Sequence, residues 1–250
     1  MPSSDSPAPT PPPGRVLIAI CTYNEAGNVV AMLRGLRESM PDADLLVVDD
    51  GSPDGTAELA QDWSAKNGRA EVIVRHDQRG LGGAIRRAVQ TAVDQGYDFF
   101  LNLDADLSHD PAELPRLLQR ALQDDRPDVV VGSRYIRGGS IVGWPVRRKV
   151  LSRMVNTFAV HWLRLPVSDC SGSMRCYRVD ALSRLDLDGL RNNGYALLEE
   201  LLVRLRQQGA GMAEVPICFT ERQVGESKLT IGEAVSSALS IVKLSRSPSS

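Results

Sequence analysis

The sequence predicts an α/β domain built on a mostly parallel sheet flanked by helices. Three observations carry that expectation. Apolar runs of strand length alternate with segments of helical periodicity, the runs are too apolar to leave either face in water, and polar residues gather just after each run. Parallel sheets with crossover helices have all three properties, and ligands bind at the carboxyl ends of their strands.

The elements follow in order. "RVLIAI", from Arg15, is a strand, and "NEAGNVVAMLRGLRES" has apolar residues at helical spacing behind an Asn cap. "ADLLVVDDGS", "EVIVRHD", "YDFFLNLDAD" and "DVVVGSRY" are further strands. Between them, "DGTAELAQDWSAKNG", "LGGAIRRAVQTAVDQG" and "DPAELPRLLQRALQD" are helices, the last with Pro near its first turn. A Gly-rich loop, "RGGSIVGWP", leads into the helical segment 146–165, which has basic ends, an apolar stripe and a Trp. Those features suit either a core helix with solvated ends or a helix lying in a membrane interface. Then come a turn and short strand in "SDCSGSMRCYRVDAL", an amphipathic helix in "GYALLEELLVRLRQQG", a strand in "AEVPICFTER", a polar loop "QVGESKLT" and a weak helix "IGEAVSSALSIVKLS". Residues 1–14 read as a Pro/Ser-rich tail, 15–230 as the folded domain, and 231–250 as an amphipathic segment and tail.

Composition narrows the function classes. At 250 residues the chain can form one large domain. A formal net charge of −2 recruits neither nucleic acid nor an anionic membrane globally, so no nucleic-acid partner is expected and membrane attraction must be local. Cys21, Cys170, Cys176 and Cys218 form no C-x-x-C pair and follow no signal peptide, which suggests reduced thiols in a cytosolic protein. No run of eighteen apolar residues occurs, so no spanning helix is expected.

"FFLNLDADLSHDP" poses the chemical question, because a strand that ends in Asp104 and Asp106 places two carboxylates on one side, where they repel. Asp106 and Asp110 could simply end the strand and cap the next helix. Three chemistries compete for the acids at the strand ends. A dinucleotide-dependent oxidoreductase fails on spacing, since "CTYNE" lacks a Gly cluster and Gly80-Leu-Gly-Gly-Ala-Ile puts Ile85 where a third small residue belongs. A non-catalytic nucleotide-binding module and a metal-assisted transferase for a nucleotide sugar both remain open. In the transferase, Asp104 and Asp106 would hold Mg²⁺ or Mn²⁺ against a diphosphate.

In order along the chain, CTYNE, VVDDGSPDGT, RGLGGA, DADLSHDP, GSRY, GGS-x-x-GW-x-x-RRK, SD-x-SGSMR-x-Y and F-x-x-R-x-x-GESKL resemble the motifs of inverting family 2 glycosyltransferases of the GT-A (nucleotide-diphospho-sugar transferase) fold. More narrowly they resemble dolichol-phosphate (polyprenol-phosphate) mannose synthases, from about Arg15 to Leu229. The resemblance implies transfer of mannose from GDP-mannose to a polyprenyl or dolichyl phosphate, giving a β-mannosyl phosphate, with Mg²⁺ or Mn²⁺ as cofactor. It implies that Cys21, Tyr23 and Glu25 form the first nucleotide-contacting loop, with Cys21 where these enzymes often carry Pro. Val48 and Asp50 would hold the guanosine. Asp104, Ala105 and Asp106 would form the metal and diphosphate segment, with Asp104 and Asp106 as the metal ligands and Ser108 where some relatives carry Gln. Arg222 and Lys228 would close on the donor diphosphate, and Arg134, Arg148 and Ser152 would bind the acceptor phosphate. Catalysis would rest on Asp104, Asp106 and Arg134.

An acceptor with a prenyl tail favours the interfacial reading of segment 146–165 and a peripheral location on the cytoplasmic face of a membrane, where a partner subunit could supply an anchor. The same reaction with another donor, such as UDP-glucose, and a nucleotide-sugar-binding subunit without turnover are the alternatives. His109 reads as a turn or supporting residue, Asp169 as a brace for an Arg or a metal ligand, and Glu199 and Glu200 as orienting the site or facing solvent.

Overall fold

A computed structural model describes residues 14–76, 79–190, 192, 194 and 196–221. Seven strands form the main sheet: β1 Val16–Thr22, β2 Asp44–Asp49, β3 Ala70–Val74, β4 Phe99–Asp104, β5 Val129–Ser133, β7 Arg175–Arg178 and β8 Met212–Pro216, in the spatial order β3-β2-β1-β4-β7-β5-β8. Two short strands, β6 Ser140–Val142 and β9 Cys218–Thr220, pair separately beside it.

Period-two alternation in β1 shows why both faces must be covered. Val16, Ile18 and Ile20 point into one apolar cluster and Leu17 and Ala19 into the other. The first cluster is closed by α1 Val29–Ser39, α2 Thr56–Asn67 and α4 Leu114–Ala121. The second is closed by α3 Leu81–Asp94, the short α6 Val179–Ser183 and α7 Ala196–Gln207. A long helix, α5 Val146–Trp162, buries only Asn156 and Ala159 along its length.

The structure departs from the sequence expectations at several points. β5 does not lie beside β4, because β7 enters between them and runs antiparallel to both. The expected single strand in "AEVPICFTER" breaks at Ile217 into β8 and β9, and the Gly-rich loop contributes β6. Asn28 flanks α1 without a side-chain cap, since its amide donates to the Glu25 carboxylate instead. Asp110 does cap, accepting from the Ala112 N–H at the 3₁₀ turn Pro111–Glu113 that precedes α4. All four cysteines are free. The tail at 1–13, the loop carrying Arg222 and Lys228 and the whole of 231–250 lie outside the described residues.

Candidate functional site

The sheet itself assembles the first group of candidate residues. In register, Cys21 on β1 stands between Val48 on β2 and Asp104 on β4, so three neighbouring strands carry them in one row. Val48 is completely buried in the apolar cluster that includes residues of α3. Burial pushes the Cys21 thiol far up, and the Asp50 and Asp104 charges push it further, so it stays protonated.

The paired acids after β2 divide their work. Asp49 is fully buried and accepts from the Thr22 hydroxyl at 2.8 Å, the Ser52 N–H at 2.7 Å and the Ser52 hydroxyl at 2.6 Å, which closes the "DDGS" turn. Asp50 faces the other way, taking Arg75 Nη1 at 2.7 Å and the Gly80 N–H at 2.6 Å. That carboxylate therefore ties β3 and the start of α3 to the site. Tyr23 lies under the Arg79 guanidinium, which also donates to its hydroxyl at 3.1 Å. Glu25 receives the Asn28 amide at 2.8 Å, and its N–H donates to the Thr56 hydroxyl.

β4 ends at Asp104, so strand alternation does not extend to Asp106 as the sequence suggested. Instead Leu107 adopts a left-handed conformation (φ 60°) and Asp106 accepts from both the N–H and the hydroxyl of Ser108. This local turn contributes two hydrogen bonds that help to fix the Asp106 carboxylate. Ala105 and Asp106 are both buried. His109 sits beneath them, buried, with its ring edge-on to Phe219 at 5.2 Å between centroids and its Nδ1 making no hydrogen bond among the described residues.

The second group gathers where β5 ends. Arg134 is buried and forms a two-pronged pair with Asp169, Nε to Oδ2 at 2.7 Å and Nη2 to Oδ1 at 2.8 Å. Nη2 also donates to Ser171 at 2.7 Å. Burial alone would lower the Arg134 pKa, but the Asp169 charge and hydrogen bonds outweigh it, with Asp104 adding to the rise. Asp169 is held below the usual carboxylate range by the same pairing, against burial. Asp169 is thus the brace that one of its two sequence readings expected. Tyr135 next to it shares a 2.8 Å hydrogen bond with Ser152 of α5. Arg148, one turn earlier, lies 3.9 Å above the Trp144 ring and donates to Glu221 at 2.7 Å.

Ring contacts link these residues, since the Arg134 guanidinium lies over Phe219, Phe219 packs on Trp144 and Trp144 lies under Arg148, while Ser152 reaches Tyr135. His109, which packs on Phe219, feels the charges of both Arg134 and Asp106. Arg75, Arg79, Tyr135, Trp144, Phe219 and Glu221 were not singled out from sequence. Arg79, Tyr135, Trp144 and Phe219 stood inside the quoted motifs RGLGGA, GSRY, GGS-x-x-GW-x-x-RRK and F-x-x-R-x-x-GESKL, and Arg75 directly after the β3 run, whereas nothing local marked Glu221. Among the described residues no group of three or more His, Cys, Asp and Glu gathers to hold an ion. Asp104, Asp106 and the Ser108 hydroxyl offer hard oxygen donors only, which fits Mg²⁺ or Mn²⁺ completing its shell with water or phosphate, not a closed thiolate or imidazole cage.

Glu199 and Glu200 on α7 are both buried, so the solvent-facing reading fails. Glu200 accepts from the Asn192 N–H and amide, while Glu199 Oε2 has no hydrogen-bond partner among the described residues. Burial pushes the Glu199 carboxyl up to about 7 from 4.5, with Arg175 opposing and Asp169 adding. Folding thus gives Glu199 a proton that the unfolded chain lacks between about pH 4.5 and 7, and its contribution to stability falls as pH rises through that window. His109 runs the other way. Burial, with Arg134, lowers its pKa from 6.5 to about 4, so its contribution rises with pH between those values.

The two slopes nearly cancel in the wild type where the windows overlap. Urea unfolding in chelator-containing buffer across pH 4 to 7.5 should therefore show a flat profile for this pair. Glu199→Gln should unmask a rise with pH and His109→Gln a fall, each of roughly 3 kcal/mol over its window. A variant with the wild-type profile would remove its residue from this account.

The chain matches the family model described as "Glycosyl transferase family 2" over residues 17–186. It is 40% identical over 224 residues to the undecaprenyl-phosphate mannosyltransferase of Micrococcus luteus, covering 88% of this chain and 91% of that one. It is 38% identical over 229 residues to the polyprenol monophosphomannose synthase of Mycolicibacterium smegmatis, covering 91% and 86%. Among solved structures, glucosyl-3-phosphoglycerate synthase from Mycobacterium tuberculosis with UDP superposes with a TM-score of 0.69 at 16% identity, covering 95% of this chain and 82% of that one. Mannosyl-3-phosphoglycerate synthase from Rubrobacter xylanophilus gives 0.67 at 21%, covering 92% and 72%. These structural likenesses establish the GT-A fold that the motifs implied. The carboxylates at the end of β4, the braced arginine at the end of β5 and the match across residues 17–186 lead to one conclusion: this chain belongs to glycosyl transferase family 2.

Proposed function

We propose that the protein is an inverting mannosyltransferase that moves mannose from GDP-mannose to the phosphate of a polyprenyl or dolichyl phosphate. The observation that carries this reading is the adjacency of two unlike clusters, the Asp104–Asp106 carboxylates and the arginines Arg134 and Arg148. The first suits a metal-bound donor diphosphate and the second an acceptor that is itself anionic. Both aligned bacterial relatives are named for a mannosyl or phosphomannose reaction on a polyprenyl chain, which supports the acceptor class.

A lipid monophosphate is ionised near neutral pH and needs no general base. The site agrees with that economy, since His109 is buried and neutral and Glu199 Oε2 has no hydrogen-bond partner among the described residues. Asp169 holds Arg134 in a fixed plane, so its guanidinium pays little further entropy on meeting phosphate oxygens. An acceptor oxygen then attacks the anomeric carbon in line, the C–O bond to the diphosphate breaks, GDP leaves with the electron pair, and the α-linked mannose becomes β-linked. Mg²⁺ or Mn²⁺ held by Asp104 and Asp106 would offset the charge gathering on the leaving diphosphate. One Mycobacterium tuberculosis structural neighbour is a complex with Mn²⁺ and UDP, which supports a divalent ion in this fold.

The acceptor's tail assigns α5 a place. No described helix is long and apolar enough to cross a membrane, yet α5 exposes Val146, Val150, Leu151, Met154, Phe158 and Trp162. Such a stripe, with Arg147, Lys149 and Arg153 beside it, suits a helix lying in the headgroup region on the cytoplasmic face.

Incubation with labelled GDP-mannose, a polyprenyl phosphate and Mg²⁺ should carry label into the organic phase, and Asp106→Asn should abolish this while leaving the fold intact. No lipid-linked mannose would overturn the proposal, and transfer from UDP-glucose in its place would reassign the donor. Arg148→Ala should reduce acceptor use by about 1.5–3 kcal/mol, roughly ten- to a hundredfold in kcat/KM, with little change in GDP binding measured by calorimetry. Equal losses for both ligands would move Arg148 out of the acceptor pocket.

A further inference from the structure

We propose that a basic cavity at the far end of α5 binds the phosphate of an anionic phospholipid headgroup, separately from the acceptor. The cavity has a volume of about 540 Å³ and lies between the last turns of α5 and α7, lined by His161, Trp162, Arg164, Arg206 and Gln207 among others. No acidic side chain lines it among the described residues. Neither Arg164 nor Arg206 forms an ion pair among the described residues, and Arg206 Nε is buried without a hydrogen-bond partner there.

Basic side chains at helix C-termini have a simpler use, complementing the helix dipole. Two helix ends contribute about half a negative charge each, so two arginines leave a surplus. Capping would also engage Arg206 Nε with a carbonyl, and it is not so engaged. The donors fit an anion that the described residues do not supply.

Position selects the kind of anion. Met154, Phe158 and Trp162 recur every fourth residue and form one exposed apolar row along the second half of α5. The Phe158 and Trp162 rings stack at 5.7 Å, and Trp162 is part of the cavity wall. The row that would enter the acyl boundary thus ends at the cavity, as a lipid tail ends at its phosphate. Arg148 and Trp162 are fourteen residues apart on α5, about 21 Å along its axis, so one phosphate cannot serve both ends. Two phosphate contacts at the two ends of an interfacial helix would fix its heading in the membrane plane.

The inference rests on α5 lying at the membrane surface, and flotation with vesicles separates the two ideas. The full chain should bind vesicles of phosphatidylcholine and bind more tightly when phosphatidylglycerol is added. Arg164→Gln with Arg206→Gln should remove that preference, about fivefold for each charge lost, while phosphatidylcholine binding stays. Arg164→Glu alone, at an exposed position, should do the same if the double variant fails to fold. Binding to both vesicle types without preference would overturn the headgroup site and leave α5 as the docking element. Binding to neither would overturn both. Variants that lose calorimetric binding of inorganic phosphate but keep the vesicle preference would mark the cavity as a free-anion site and overturn the lipid assignment.

Discussion

The pairing of Asp169 with Arg134 is the constraint on which the rest of the site depends. It joins the end of β5 to the turn before β7, two segments that the chain separates by 35 residues. Asp169 also accepts from the Ser171 and Gly172 N–H groups, and its own N–H donates to Glu214 on β8. Each oxygen is therefore occupied, which is what makes a completely buried carboxylate tolerable. Removing one partner would strand a charge in the interior, a loss of about 3–5 kcal/mol in buried pairs generally. The pair is better understood as setting geometry than as adding net stability, because burying two charges consumes most of what their attraction returns.

That geometry rests on a second buried arginine. Arg175 opens β7 with its side chain fully buried, donating to the Gly172, Cys170 and Leu198 carbonyls and to the Tyr177 hydroxyl. It thereby folds the Ser171–Gly172–Ser173 turn back on itself and delivers Asp169 to Arg134. With Arg134 balanced by Asp169, Arg175 has Glu199 as its nearby acid, and the high pKa of that carboxyl lets it shed or take up charge near neutrality. In the proposed function the cations offered to an incoming phosphate are Arg134 and Arg148, each already oriented by a carboxylate, Asp169 and Glu221.

The part of this legible in sequence was the part governed by local patterns. Runs such as "RVLIAI" and "ADLLVVDD" announce strands because both faces are apolar, and the polar ends of those strands announced where the site lies. β7 was opaque as a central strand for the opposite reason. "RCYR" holds two arginines, and no local rule reveals that Arg175 will find three carbonyls and a phenol inside the protein. The same limit explains why Asp169 kept two readings and why the two neighbouring acids Asp49 and Asp50 could not be told apart. Each becomes distinct only through partners such as Thr22 and Arg75, set by register between strands. Tyr135, Trp144 and Phe219 stood inside quoted motifs, but the motifs gave them no role. Their roles come from meeting α5 and β9 across the end of the sheet.

One turn couples the Arg134–Asp169 pair to the outer helix. Asn156, among the few buried residues of α5, donates to the Ser168 carbonyl and accepts from the Cys170 N–H at 3.0 Å. Ser168 and Cys170 flank Asp169, so the residue that braces Arg134 and the residues that anchor α5 are consecutive. Ser152, one turn before Asn156, turns inward to Tyr135, while Val150 and Met154 on either side of it face out. A displacement of α5 would thus be transmitted first to the turn that orients the Arg134 guanidinium, before it reached the sheet. For an acceptor whose phosphate must be held in the protein while its tail stays in lipid, this is the arrangement the chemistry requires. In the proposed function, the surface offered to the lipid and the cation offered to the phosphate would be held in register by this single short segment.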